Sequence, residues 1–412
     1  MSTIKVDTIV SENTPTVNFT DGVNVSGVAT AHTILANNAN ISGIATAQTF
    51  APSEGQLGNR NIIINGAFQV AQRSTSASAT SGYGTVDRFV LNYSGQDAGL
   101  DQSQHALTSS DTGPWAEGFR YSYHITNGNQ TSGAGAADYT RIKYTPEAQD
   151  LANSGWDYTN SNSFITLSYW VKSSIAYTTY INVSTADGPA QNYTGTGIAL
   201  SANTWKKVSV SIPGNSNLQF DNNNAAGMYI SFAIFYGTAY TTSGHSLNTW
   251  SAAGDYSDQM PDMTSTWWTT NDATYEITGV QFEVGPTNTP FEHRSYGEEL
   301  ARCQRYYYLA ASGSSKALGL GVNYTASEMH CAITYPVTMR ATPTLDVASG
   351  TNYYEFIRNG AADWVDDFSL GNRTTDKIGE LYNQTDISGT VGHGGFVRTD
   401  NASSKVAFSA EF

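Results

Sequence analysis

Period-two alternation of apolar and polar side chains runs through most of this sequence and commits it to β-strands. Ile165, Leu167, Tyr169 and Val171 alternate with Thr166, Ser168 and Trp170. Val208, Val210 and Ile212 alternate with Lys207, Ser209 and Ser211 before Pro213-Gly214, and Met228, Ile230, Phe232 and Ile234 repeat the pattern. Successive strand side chains point to opposite faces, so each run has one face for a core and one for the outside. Many such runs divided by Gly and Asn turns predict a sandwich or jelly roll over 61–294. A second set, Met329, Cys331, Ile333, Tyr335 and Val337, then Val406, Phe408, Ala410 and Phe412, predicts a further β-sandwich knob over 309–412.

Two local features refine this mainly β reading. Tyr275 and Ile277 share a phase that Val280, Phe282 and Val284 break. One extra residue at Thr278-Gly279 restores it and predicts a β-bulge. Ser295 with Glu298 three residues later forms a capping box, and Leu300, Cys303 or Gln304, and Tyr307 share one face, predicting a linking helix over 295–308. That helix either packs around a symmetry axis or docks on its own domain.

The first fifty residues carry a repeat. Asn24-Val25-Ser26-Gly27-Val28-Ala29-Thr30-Ala31 returns sixteen residues later as Asn40-Ile41-Ser42-Gly43-Ile44-Ala45-Thr46-Ala47. A β unit this small cannot bury its own apolar face, so 1–50 is expected to pack against copies from other chains, giving a fibrous attachment and oligomerisation segment. The alternative is a flexible tail. Residues 51–60 read as a linker.

Composition narrows the partners. Only 13% of the 412 residues are charged, where about 25% is usual. A net charge of −15 repels nucleic acid and anionic bilayers. Neutral polysaccharide is compatible, and an anionic sugar needs local basic groups. Cys303 and Cys331 are too few for a disulfide framework, and the opening residues lack the apolar stretch of a signal peptide, so synthesis in a cytoplasm is expected. No run reaches the about 18 apolar residues of a membrane span.

The ordered series Asn61-Ile62-Ile63-Ile64-Asn65-Gly66-Ala67-Phe68, Asp87-Arg88-Phe89, Leu167-Ser168-Tyr169-Trp170-Val171-Lys172-Ser173, Thr204-Trp205-Lys206-Lys207-Val208, Ile277-Thr278-Gly279-Val280-Gln281-Phe282-Glu283-Val284-Gly285, Thr289-Pro290-Phe291-Glu292 and Tyr296-Gly297-Glu298-Glu299-Leu300 to Cys303-Gln304-Arg305-Tyr306-Tyr307 resembles a domain common in tail-fibre proteins of tailed bacteriophages. The N-terminal repeats resemble structural proteins of marine cyanophages. The resemblance implies a virion fibre or adhesin, usually trimeric, made in the host cytoplasm, with a jelly roll similar to carbohydrate-binding modules. It implies itself, other virion proteins at the N-terminal segment and host-surface polysaccharide as partners. Such modules often carry an acidic pair in their last strand near calcium; positions 278 and 279 here are Thr and Gly, which departs from that pattern.

No chemistry beyond binding stands out. There is no G-x-S-x-G elbow, Gly319-Leu320-Gly321 is too short for a dinucleotide fingerprint, and His330-Cys331 point to opposite faces of a strand. The chain is expected to be non-enzymatic and to need no cofactor. A polysaccharide depolymerase is the enzymatic alternative, and a purely architectural appendage the structural one. Sugar binding needs flat apolar faces and a few orienting polar groups. One candidate cluster is Trp250, Tyr256, Trp267 and Trp268, with Asp255, Asp258 and Asp262 as potential calcium ligands. The other is Tyr353, Tyr354 and Trp364 in the terminal knob. In both, the competing reading is that the rings are core.

Overall fold

A computed structural model describes residues 58–252 and 258–412. The repeats at 1–50 and most of the 51–60 linker lie outside the described residues.

The alternating runs form two antiparallel sheets packed face to face. One has six strands in the order Ser76–Ala77, Asp101–Ala106, Tyr121–Thr126, Thr274–Val284, Phe164–Ser173, Lys206–Pro213. The other has seven: Trp250–Ala252, Gln191–Thr194, Tyr177–Thr185, Met228–Tyr236, Tyr139–Tyr144 and Phe89–Ser94 in order, with Ile198–Leu200 also paired to Tyr177–Thr185. The inward set of each strand, Ile165, Leu167, Val171, Ile230, Phe232 and Ile234 among them, is wholly buried between the sheets. Burying such a side chain contributes about 1.5–3 kcal/mol, which is why the alternation fixes which face turns in.

The phase break resolves as expected. Thr278 pairs with Trp170 and Gln281 with Ser168, so Gly279 and Val280 together face Tyr169. Gly279 takes φ +64°, and Tyr275, Ile277, Val280 and Phe282 all reach the core. A side chain at 279 would also run into the Phe119 ring, 2.5 Å from its Cβ position.

The helix spans Tyr296–Gln304, and the Ser295 hydroxyl accepts a hydrogen bond from the Glu298 amide at 3.3 Å. It is shorter than the expected 295–308: Tyr307 already begins the next strand, Tyr307–Ser312. The Glu298 carboxylate turns to Arg302, four residues on, at 3.0 Å, rather than closing the capping box. The helix docks on its own chain, with Cys303 and Leu300 against Ile64, Val70, Tyr306 and Phe412.

Beyond it, a three-stranded sheet (Tyr307–Ser312, Lys405–Ser409, Thr344–Val347) and a seven-stranded sheet (Ala361–Val365, Tyr354–Arg358, Gly394–Thr399, Ala317–Thr325, Glu328–Thr334, Ile378–Asn383, Ser369–Leu370) enclose a second core around Phe356, Met329, Leu381 and Phe408. The chain is mainly β. The two halves are tied by charge: Arg88, fully buried in the first, meets Glu411 in the second, and Arg305 grips Glu147 at 2.8 Å through two nitrogens.

Candidate glycan-binding face

The strand Met228–Tyr236 sits at the middle of the seven-stranded sheet of the first sandwich. Its inward set is Met228, Ile230 and Phe232, so Tyr229, Ser231 and Ala233 point away from the core. Register extends these positions into rows. Ser184 lies beside Tyr229 on one neighbour. Asn182 and Lys143 flank Ser231, and Tyr180 and Arg141 flank Ala233. Asn92 follows Arg141 on the edge strand. The outward surface therefore brings two cations, two amides, hydroxyls and tyrosine rings onto one face.

Tyr240 and the stretch 259–263 form the wall. The Gln259 carbonyl accepts from Asn182 Nδ2 and Asn192 Nδ2 at 3.0 Å and from the Thr194 hydroxyl at 2.8 Å, which holds the segment across one side of the sheet. Met260 is buried against Ala233 and Tyr236, with Tyr139, Tyr180, Tyr240 and Met263 packed around them. Tyr139 stacks on Tyr236 with centroids 5.7 Å apart, and Tyr240 stands edge-on to both. Tyr139, Tyr180, Tyr229 and Tyr240 keep part of their surface open.

The polar groups of the floor are incompletely paired. Arg141 donates from Nη1 to the Tyr236 hydroxyl at 3.3 Å, and its guanidinium lies 5.6 Å from the Tyr139 ring centre. The Lys143 ammonium sits 4.8 Å over the Tyr229 ring. Burial, and then the charge of Arg141, pull the Lys143 pKa below the ordinary lysine value. Asn92 Oδ1, Arg141 Nε and Ser231 Oγ are buried and meet no hydrogen-bond partner. Buried polar groups are ordinarily satisfied, so these three open valences in adjacent rows can take up hydrogen bonds from a ligand or from solvent.

The residues singled out from the sequence fall differently. Trp267 and Trp268 are fully buried; Trp267 Nε1 donates to the Thr274 carbonyl and Trp268 Nε1 to that of Gly133, while Trp268 lies against Phe235. Trp250 is 9% exposed, donates to the Pro213 carbonyl at 2.7 Å and packs on Tyr193. These three rings close the sandwich and have no free face for a sugar, which corrects their assignment as binding residues. Tyr354 is also core, its hydroxyl held by the carbonyls of Ala348 and Lys405. Tyr353 is half-buried beside it, its carbonyl taken by the Asp400 amide. Trp364 does stand out, 52% exposed on the edge strand Ala361–Val365. Asp258 is engaged by His245 at 2.6 Å and Asp262 by the Thr241 hydroxyl at 2.7 Å. Tyr256 and Asp255 lie outside the described residues. Among the described residues no group of three or more His, Cys, Asp or Glu converges to hold a metal.

No family model and no curated protein matches the chain. Among solved structures, it is similar to the enzymatically active domain of bacteriophage CBA120 tailspike protein 4, at 11% identity and a TM-score of 0.29 over 55% of this chain and 21% of that one. It is also similar to the N-terminal cellulose-binding domain of a Cellulomonas fimi β-1,4-glucanase, at 12% identity and a TM-score of 0.26 over 53% and 99% of the two chains. A third is the CBM22 tandem of Paenibacillus barcinonensis Xyn10C, at 8% identity and a TM-score of 0.24 over 78% and 93%. The chain thus spans about a fifth of the tailspike domain it matches.

Proposed function

We propose that this chain is a non-enzymatic subunit of a bacteriophage-type virion fibre whose first sandwich holds host-surface polysaccharide on the outer face of its seven-stranded sheet. The observation that carries the reading is the floor itself. Partly open tyrosine rings flank buried amide, hydroxyl and guanidinium atoms that have no partner. Flat rings supply stacking surface for pyranose faces, and the open polar atoms supply orientation. Cleavage of a glycosidic bond needs a pair of carboxylates across the groove. The floor rows carry Asn92, Arg141, Lys143 and Ser231 instead, which suits retention rather than hydrolysis. The virion setting rests on the tail-fibre resemblance of 61–307.

The fibre is proposed as a homotrimer. In its second half, the outer face of the seven-stranded sheet exposes Leu320 (77%), Phe396 (41%), Val322 (41%) and Ile378 (37%). Among the nearby charges, Glu355 pairs with Arg398 and Glu380 with Arg373. Copies that each carry −15 repel overall, and an apolar face with paired charges is where that repulsion is weakest. Linked copies then multiply weak sugar contacts by effective concentration. The test is retention of the purified full chain on fractionated host envelope, with reducing ends assayed in the same tubes. Binding to a polysaccharide fraction without reducing-end release is expected. Failure to bind any fraction, or release of reducing ends, overturns the reading.

A further inference from the structure

Every buried cation elsewhere in the first sandwich rests on a carboxylate. Arg88 meets Glu411, Lys172 meets Glu276 at 2.9 Å and Asp111 at 3.1 Å, and Arg294 meets Glu292 at 3.1 Å. Arg141 and Lys143 break this rule. They stand two residues apart on one strand, hence on one face and about 6.6 Å apart along it. Both are half-buried, and among the described residues neither has a carboxylate within 4.0 Å. Each lies by a tyrosine ring instead, and Arg141 Nε has no partner. Two adjacent like charges, partly desolvated and uncompensated, are unfavourable unless an anion joins them. In a protein with 20 basic and 35 acidic residues, such a pair is a local exception to the overall field.

We infer that the face selects acidic glycans, with a sugar carboxylate or sulfate seated between Arg141 and Lys143 while neighbouring rings cover the pyranose faces. The inference rests on the glycan-binding reading and adds the substrate class. A planar guanidinium takes a carboxylate or sulfate through two hydrogen bonds, and the ammonium adds a point charge. Tyr139 and Tyr229, which lie beside the cations, also bound the seat. The face offers two cations beside tyrosine rings, where a nucleic-acid backbone needs an extended basic track.

Affinity electrophoresis of the full chain in gels containing polygalacturonate, carboxyl-reduced polygalacturonate, dextran sulfate, dextran or single-stranded DNA tests this. Retardation by polygalacturonate identifies the carboxylate, and retardation by dextran sulfate alone identifies the sulfate; the neutral polymers should have no effect. Lys143→Gln and Arg141→Gln should each weaken binding about tenfold, and Lys143→Arg should restore most of it. Thermal melts of each variant separate lost contact from lost fold. Equal retardation by charged and reduced polymers, untouched by Lys143→Gln, would overturn the acidic preference while leaving glycan binding in place. Retardation by DNA as strong as by the glycans would overturn it in favour of a nucleic-acid role. No retardation by any polymer, together with no binding to host envelope, would remove both readings.

Discussion

Neutralising Glu276 should remove an acid-sensitive portion of stability. Its carboxylate is 3% exposed and contacts Lys172 at 2.9 Å, His124 at 3.3 Å and the Ser122 hydroxyl at 2.8 Å. Burial works to raise its pKa, but the hydrogen bond and charge of His124 and the ammonium of Lys172 outweigh it and hold the group down to about 2, from an ordinary 4.5. A folded pKa below the unfolded one stabilises the native state above pH 4.5, and the contribution drains away as pH falls toward 2. At about 1.4 kcal/mol per unit the contribution is about 3 kcal/mol. Asp87 acts in the opposite sense. Burial outweighs Arg73 and the Gln72 hydrogen bonds and lifts it to about 6, so this group favours the native state increasingly as pH falls from 6 to 3.8. Together these two groups favour the native state most near pH 4 to 5. Glu276→Gln should lose about 3 kcal/mol at pH 7, with the loss vanishing near pH 2 and the Asp87 limb intact. Urea unfolding followed by Trp fluorescence from pH 2 to 7 reads this out, since seven of the eight Trp lie in the first sandwich. Wild-type and variant curves that stay parallel down to pH 2 would refute the reasoning.

Three further outcomes follow from the packing. Glu411→Ala leaves the fully buried Arg88 without its counter-ion and should cost about 3–5 kcal/mol in chemical denaturation. Gly279→Ala forces a side chain into a φ of +64° and against Phe119, so a loss of at least about 1–3 kcal/mol is expected, while Gly133→Ala, at φ +81° with open space around it, should cost less. Leu320→Lys on the 77%-exposed position should lower the sedimentation coefficient of the full chain without shifting its melting point; an unchanged coefficient would remove that face from any interface between copies.

The strands were legible because burial on one face leaves an uninterrupted period of two: Ile165 to Val171 and Met228 to Ile234 reveal the inner faces of both sheets directly. The bulge was legible for the same reason, as an odd spacing flanked by a glycine. The helix was overextended because Tyr307 continues the helical spacing, yet its ring is needed under Arg73 and its hydroxyl on Asp346, which favours a strand there. Trp267 and Trp268 prove to be core for a physical reason. Ring count locates Trp267 and Trp268, but their indole N–H groups are satisfied by carbonyls, as suits buried tryptophan. The informative signal was the outward set: Tyr229 and Ser231 between inward apolar residues, and Arg141 and Lys143 alternating with Thr140, Ile142 and Tyr144 in a chain poor in cations. Register between strands far apart in sequence, which alternation alone cannot supply, is what joins them.

The proposed polysaccharide site is the outer face of the first sandwich rather than the exposed tryptophan of the second. The most direct measurement compares Tyr229→Ala and Trp364→Ala in the full chain for binding to host-envelope polysaccharide by biolayer interferometry. A five- to tenfold weaker complex is expected for Tyr229→Ala, about 1 kcal/mol for losing a partly covered ring, and wild-type binding for Trp364→Ala. Wild-type binding by Tyr229→Ala with loss in Trp364→Ala would contradict it and move the site to the second sandwich.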